Sequence, residues 1–208
     1  MKDNLSHQLA VCTLAIFVAI LCGCASSPPS KFYQLSAMSG QAAEARDVPS
    51  QGSDVVSIGP LRIPDYLDRY QIVTRSGRNE VKLAEFDRWA GSLEDDIIRA
   101  LVEDISAQLP PGRFFVIRWS PLLDSQLSSS YRVEMIVRSF EGALDGAVTL
   151  KAQWGILGKD KSFLLRKESI IVEQVNGNGY DEYVNAMSRA IERLSREITD
   201  GIVSKAAI

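Results

Sequence analysis

The sequence predicts an α+β fold: a mainly antiparallel sheet with two long amphipathic helices packed on one face. Three observations carry that prediction. Apolar and polar residues alternate strictly in the segments around Tyr131–Arg138 and Val148–Ile156, as in strands covered on a single side. Ser92–Leu109 places Leu93, Ile97, Ile98, Leu101, Val102 and Ile105 on one helical face. From Tyr180 to about Ser204, Tyr180, Val184, Met187, Ile191, Leu194 and Ile198 recur at alternating four- and three-residue steps.

The elements follow in order. Lys31–Leu35 (KFYQL) reads as a first strand, and Gly40–Asp54, rich in Ala, Gly, Ser and charge, as an exposed loop. Val55–Ile58 is a second strand, closed by Gly59-Pro60. Arg69–Arg75 and Glu80–Phe86 are two more, joined by the turn Ser76-Gly77-Arg78-Asn79. Ser92 suits the N-cap of the first helix. Glu94, Asp95 and Asp96 in its first turn complement the helix dipole, and Pro110-Pro111-Gly112 ends it. Arg113–Trp119 is a strand and Ser120–Ser130 a Ser-rich loop.

Tyr131, Val133, Met135 and Val137 then share one face, as do Val148, Leu150, Ala152, Trp154 and Ile156. Phe163–Glu173 makes a third strand. The connections, Glu141–Gly146 and Gly158–Lys161, are short, which predicts an antiparallel meander. Trp154 belongs to the core and Trp89 packs at the start of the first helix. The heptad-like stripe of the last helix admits a coiled coil, but a helix laid across a sheet needs the same stripe, and sheet packing is the expectation.

The N-terminus sets the compartment. Leu9–Cys22 is a 14-residue apolar run. As a helix it would be about 21 Å long against a hydrocarbon core of about 30 Å, too short to span and suited to a signal peptide. Leu21-Cys22-Gly23-Cys24 resembles a lipobox, with the small Gly23 before Cys24 as the acylated residue. The chain therefore divides into a lipoprotein signal peptide (1–23), a lipidated Ser/Pro tether (24–30) and one domain (31–208). One acyl chain holds a protein weakly and two or more hold it stably.

Composition narrows the chemistry. His7 is the only histidine, and it leaves with the signal peptide, as do Cys12 and Cys22. The mature domain then has no Ser-His-Asp triad, no Cys-His pair, no usual zinc ligand set and no disulfide. Neither catalytic nor metal-ligating residues nor a cofactor is predicted, and the protein reads as non-enzymatic. The nearest enzymatic alternative is an envelope hydrolase using paired carboxylates. Neither GxxxxGK[ST] nor GxGxxG occurs. A net charge of −3 without a basic stretch argues against nucleic acid.

Specific strings go further. Ile58–Arg69 (IGPLRIPDYLDR) leads into Gln71-Ile72-Val73. Ala84–Ala90 (AEFDRWA) follows, and the tail carries Gly179–Tyr183 (GYDEY) and Leu194–Ile198 (LSREI). With the lipobox, these resemble the PqiC (YmbA) family of auxiliary lipoproteins in ABC-type and MCE-type transport systems. The resemblance implies an outer-membrane lipoprotein facing the periplasm. Its partner would be an MCE-domain inner-membrane protein of a PqiB-type or ABC-linked system that moves lipids or other hydrophobic molecules. Homo-oligomerisation around the end of that assembly fits the same reading. Ala25, not the Asp that retains enteric lipoproteins in the inner membrane, agrees with outer-membrane delivery.

Within Pro60–Arg69, two prolines stiffen the backbone and withhold donors, which suits a defined loop. Pro64, Tyr66, Leu67 and Arg69 are the candidate partner-docking residues. The competing structural role for Tyr66 and Leu67 is to cover the end of the core. An alternative function is a lipid carrier binding cargo in its own pocket, which requires an apolar cavity of several hundred Å3.

Overall fold

The computed structural model describes residues 27–37, 53–123 and 129–206. Cys24, the signal peptide and most of the Gly40–Asp54 loop lie outside them. The strands are β1 Lys31–Tyr33, β2 Asp54–Arg62, β3 Gln71–Arg75, β4 Val81–Trp89, β5 Phe114–Arg118, β6 Tyr131–Gly142, β7 Ala147–Leu157 and β8 Phe163–Gln174. The long helices are α1 Leu93–Gln108 and α2 Tyr180–Ala206. A single helical turn, 121–123, precedes β6.

Both helices form where the periodicity places them. The Ser92 hydroxyl accepts the Asp95 N–H at 3.4 Å and caps α1. Leu93, Ile97, Leu101 and Ile105 on α1 and Met187, Ile191, Leu194 and Ile198 on α2 are all buried. The two helices pack on each other. α1 covers β2 and β5, while α2 lies across β6, β7 and β8. The stripe of α2 thus serves sheet packing, as expected.

The strands form two sheets, of order β1-β4-β3 and β5-β2-β6-β7-β8. The β6-β7-β8 meander is antiparallel, as expected, with Met135 opposite Trp154 and Trp154 opposite Lys167. Val148, Leu150, Ala152, Trp154 and Ile156 all face the helices and are buried, while Lys151 and Gln153 are exposed.

The prediction of one mainly antiparallel sheet needs correction. β2 runs parallel to both β5 and β6, and β1 parallel to β4, so both sheets are mixed. Parallel neighbours need a crossover, and the segment from β3 through α1 supplies it between β2 and β5. β2 also does not stop at Gly59-Pro60. It continues to Arg62 through a cis Gly59–Pro60 bond, with a register shift between Ile58 and Leu61. Gly59 takes φ 120°, open to glycine alone at low cost.

Long-range polar contacts knit the sheets to the helices. The Leu35 N–H donates to Asp96 Oδ2 at 2.5 Å, and Arg99 donates to the Leu35 carbonyl. This draws the segment after β1 onto α1. The fully buried Tyr183 hydroxyl of α2 accepts the Gly142 N–H at 2.9 Å and donates to the Val73 carbonyl at 3.0 Å. Along the outer edge of β8, Arg193 donates to the Val172 carbonyl (3.2 Å) and Arg189 to that of Gln174 (2.6 Å). These guanidiniums occupy acceptors that an edge strand would otherwise offer to another chain.

Gly142 gives a test of the β6–β7 corner. A Cβ there would lie 1.8 Å from the Ala147 carbonyl oxygen and 2.8 Å from the Val148 Cα, both backbone atoms. Gly142→Ala should therefore force the corner open and loosen the Tyr183 bond, costing at least the 1–3 kcal/mol or so typical of overpacking. A wild-type melting temperature for this variant would contradict the described corner.

Candidate functional site

The segment 63–70 leaves β2 and turns into β3. Its shape is fixed by its own backbone: the Leu67 N–H donates to the Pro64 carbonyl (2.9 Å), Asp68 to Asp65 (3.3 Å) and Arg69 to Leu67 (2.9 Å). Pro64, with preset φ and no N–H, suits the start of such a turn. Leu67 is buried in the core. Tyr66 is half-buried, and its phenol donates to Glu141 Oε2 at 2.8 Å. Pro64 and Arg69 are half-buried at the rim, while Asp65, Asp68 and Tyr70 are exposed. Of the four candidate docking residues, then, Tyr66 and Leu67 are drawn inward.

What draws Tyr66 inward is a residue that pattern reading missed. The Glu141 side chain is 2 % exposed and accepts four donors. Oε1 takes Arg75 Nε at 2.8 Å and lies 2.8 Å from Arg75 Nη2; Oε2 takes the Tyr66 hydroxyl and the Phe140 N–H, each at 2.8 Å. Burial and then the Glu141 carboxylate push the Tyr66 phenol up to about 12, so it stays a protonated donor. The bond to Glu141 likewise holds the Arg75 guanidinium above its ordinary value.

This cluster ties the loop, β3 of the small sheet and β6 of the large sheet together. Strict alternation from Val137 would turn Glu141 toward the helices and Phe140 away from them. A bulge between Val137 and Ser139 swaps the two, so Phe140 joins the core and Glu141 lies on the outer face, where it is buried all the same. Its four donors come from the same chain, which makes Glu141 a structural clamp. Among the described residues no group of three or more His, Cys, Asp or Glu is placed to hold a metal ion.

The opposite side of the large sheet, away from the helices, carries a groove of about 650 Å3 lined by Pro60, Arg62, Ile136, Phe163, Arg166 and Glu168, among others. The Phe163 ring lies over Gly155, where a Cβ would come within 2.6 Å of the ring and 3.0 Å of the Leu165 carbonyl oxygen and displace the ring. The Arg166 guanidinium stacks 3.9 Å above that ring. Ile136 and Phe163 remain 41 % and 43 % exposed, which makes this an open, charge-rimmed surface rather than a chamber in the core.

A third feature lies at the β1 edge of the small sheet. β1 follows residue 30 directly and pairs with β4, so Phe32 stands opposite Arg88 and Tyr33 opposite Trp89. Trp89, the last residue of β4, is buried in the core, and its backbone N–H donates to the Tyr70 carbonyl at 2.7 Å. No helix among the described residues is long and apolar enough to cross a membrane.

Comparison with known proteins gives these surfaces a context. Residues 33–199 match the family described as ABC-type transport auxiliary lipoprotein component. The chain is 28 % identical over 170 residues to the intermembrane transport lipoprotein PqiC of Escherichia coli (strain K12), covering 81 % of this chain and 84 % of that one. The Shigella flexneri protein of the same name matches equally. Among solved structures, an uncharacterized protein aligns with a TM-score of 0.68 at 22 % identity, covering 84 % of this chain and 99 % of that one. A Xanthomonas campestris protein aligns at 0.62 and 16 % identity, covering 82 % and 93 %. These two structures share the fold.

Proposed function

Because the chain belongs to the family of ABC-type transport auxiliary lipoprotein components, we propose that it is an outer-membrane lipoprotein of an intermembrane lipid transport system. It is anchored through acylated Cys24, faces the periplasm and docks an MCE-domain partner from the inner membrane. The observation that carries this reading is the family match over 33–199, placed directly behind a lipobox at Leu21–Cys24. Ala25 in place of Asp supports delivery to the outer membrane.

Docking falls to the outward part of the 63–70 turn. Pro64, Asp65 and Arg69 are presented on a backbone that the Glu141 clamp holds rigid, and a preordered loop loses little entropy on binding. Tyr66 and Leu67 support that presentation from beneath. The exposed groove beside Phe163 favours one further reading, a carrier that holds amphipathic cargo on the sheet surface.

Mass spectrometry of the membrane fraction tests the anchor. Wild type should carry diacylglycerol on Cys24 after cleavage behind Gly23, and Cys24→Ala should leave the membrane fraction or stay unprocessed. An unmodified Cys24 in the membrane would overturn the anchor. For docking, Asp65→Ala with Arg69→Ala should retain acylation and melting while losing co-purification of the MCE partner. Full binding by this well-folded variant would move the dock elsewhere.

A further inference from the structure

We propose that the tether end of the small sheet, Phe32 and Arg88 with Tyr70 beside them, lies against the membrane that holds the anchor and contacts anionic phospholipid headgroups. The inference rests on the reading of Cys24 as the acylated residue, and goes beyond it by assigning a lipid-facing surface to the folded domain.

Four observations converge. First, Tyr70 and Phe32, at 71 % and 64 %, are the most exposed aromatic side chains among the described residues. Aromatic rings left in water at one end of a domain fit the bilayer interface, where an apolar body with a polar tip is favoured. Second, strand register sets which way Phe32 and Arg88 face, with Tyr70 next in the chain to their row. Phe32, Arg88 and Gln71 form one row across β1, β4 and β3, so their side chains share one face. The next row, Tyr33 and Trp89, points to the opposite face, where Trp89 is buried.

Third, Arg88 forms no ion pair among the described residues. Its Nη2 reaches only the Glu85 carbonyl at 3.5 Å and its Nε has no partner. Asp87, the adjacent acid, is engaged by the Tyr33 hydroxyl at 2.7 Å. A half-buried guanidinium beside an exposed ring suits a phosphate under a lipid interface.

Fourth, the tether is short. Lys31 lies seven residues after Cys24, and even fully extended such a segment spans only about 25 Å. The anchor therefore keeps this end of the sheet close to the headgroups. Holding a weak surface nearby converts its contact into an intramolecular one at an effective concentration of the order of mM. Two exposed rings and one guanidinium that would bind vesicles poorly from solution then suffice to orient the domain.

The test uses the full acylated protein. With Cys24 modified and Cys12 and Cys22 removed with the signal peptide, an introduced thiol is the sole free one. Tyr70→Cys carries an environment-sensitive fluorophore, and Ile170→Cys, on the edge strand of the other sheet, is the control. In vesicles of phosphatidylethanolamine and phosphatidylglycerol, brominated lipid should quench the label at 70 several-fold more than at 170. Phe32→Ser with Arg88→Gln should remove most of that difference, and replacing phosphatidylglycerol by phosphatidylcholine should reduce it. Equal quenching at both positions, or quenching indifferent to the double substitution or to anionic lipid, overturns the inference while the anchor stands. An unacylated Cys24 by mass spectrometry overturns the anchor and the inference with it.

Discussion

Trp154→Ala is expected to lower stability by about 3–5 kcal/mol, the range for removing a large buried aromatic. The indole is 3 % exposed and packs against α2, where a Cβ at Gly201 would come within 3.4 Å of it. Its Nε1 donates to Ser169 at 2.9 Å, and Ser169 in turn donates to Glu197 at 2.7 Å. Truncation opens a cavity between sheet and helix and breaks the first link of that chain. Thr149→Ala, on the other face of the same strand, should cost well under 1 kcal/mol. Urea midpoints at constant slope check the pair, and equal losses would mean that a further layer covers the outer face. Burial raises the Glu197 carboxyl, but Lys167 at 2.8 Å and Ser169 outweigh it and hold it below its ordinary value. Its contribution is therefore present above pH 4.5 or so and fades as pH falls through the lowered value.

Arg75→Met should be comparably damaging. It keeps much of the aliphatic stem but leaves the Glu141 carboxylate buried with the Tyr66 hydroxyl and one backbone N–H. Breaking a buried pair this way typically costs about 3–5 kcal/mol. The Arg75 side chain is 36 % exposed, so water screens part of the bond and the expected loss is about 3 kcal/mol, the lower end. The companion Glu141→Leu, combined with Arg75→Met, should recover much of it, because an apolar replacement of both partners leaves no uncompensated charge. Denaturation of the four proteins of this cycle measures the coupling. A double variant no more stable than Arg75→Met would mean that the clamp works through packing and not through charge.

How far the sequence could be read follows from where the information resides. Val148–Ile156 alternates cleanly because one face is buried and the other wet, so the strand and its inward residues were both legible. The helix faces were legible for the same reason, at a period of 3.6. Pairing partners were not, because nothing in Val55–Ile58 states that its neighbours are β5 and β6, both parallel to it. Gly59-Pro60 carries the composition of a strand end, and only the bulge and the positive φ of Gly59 let the strand continue. Glu141 was hidden because the bulge after Val137 turns it to the outer face with Thr149, where Arg75 of β3 and Tyr66 of the distant 63–70 turn cover it. In the 63–70 turn, stiffness was readable from its prolines. The inward direction of Tyr66 was not, since the acceptor that holds it lies 75 residues away.

The parallel seating of β2 has a consequence for the timing of folding. Asp54 pairs with Phe114 and Val56 with Tyr131, so β2 waits for partners about 60 to 75 residues downstream. Such high contact order slows folding, because the entropy of closing long loops is lost before any ladder forms to offset it. The helix that covers the finished sheet, α2, comes last of all. A nascent chain of this design has no stable core until nearly its whole length has been made. On the proposed reading of Cys24 as an acylated residue, the precursor crosses a membrane unfolded, and that delay keeps the chain fit for translocation.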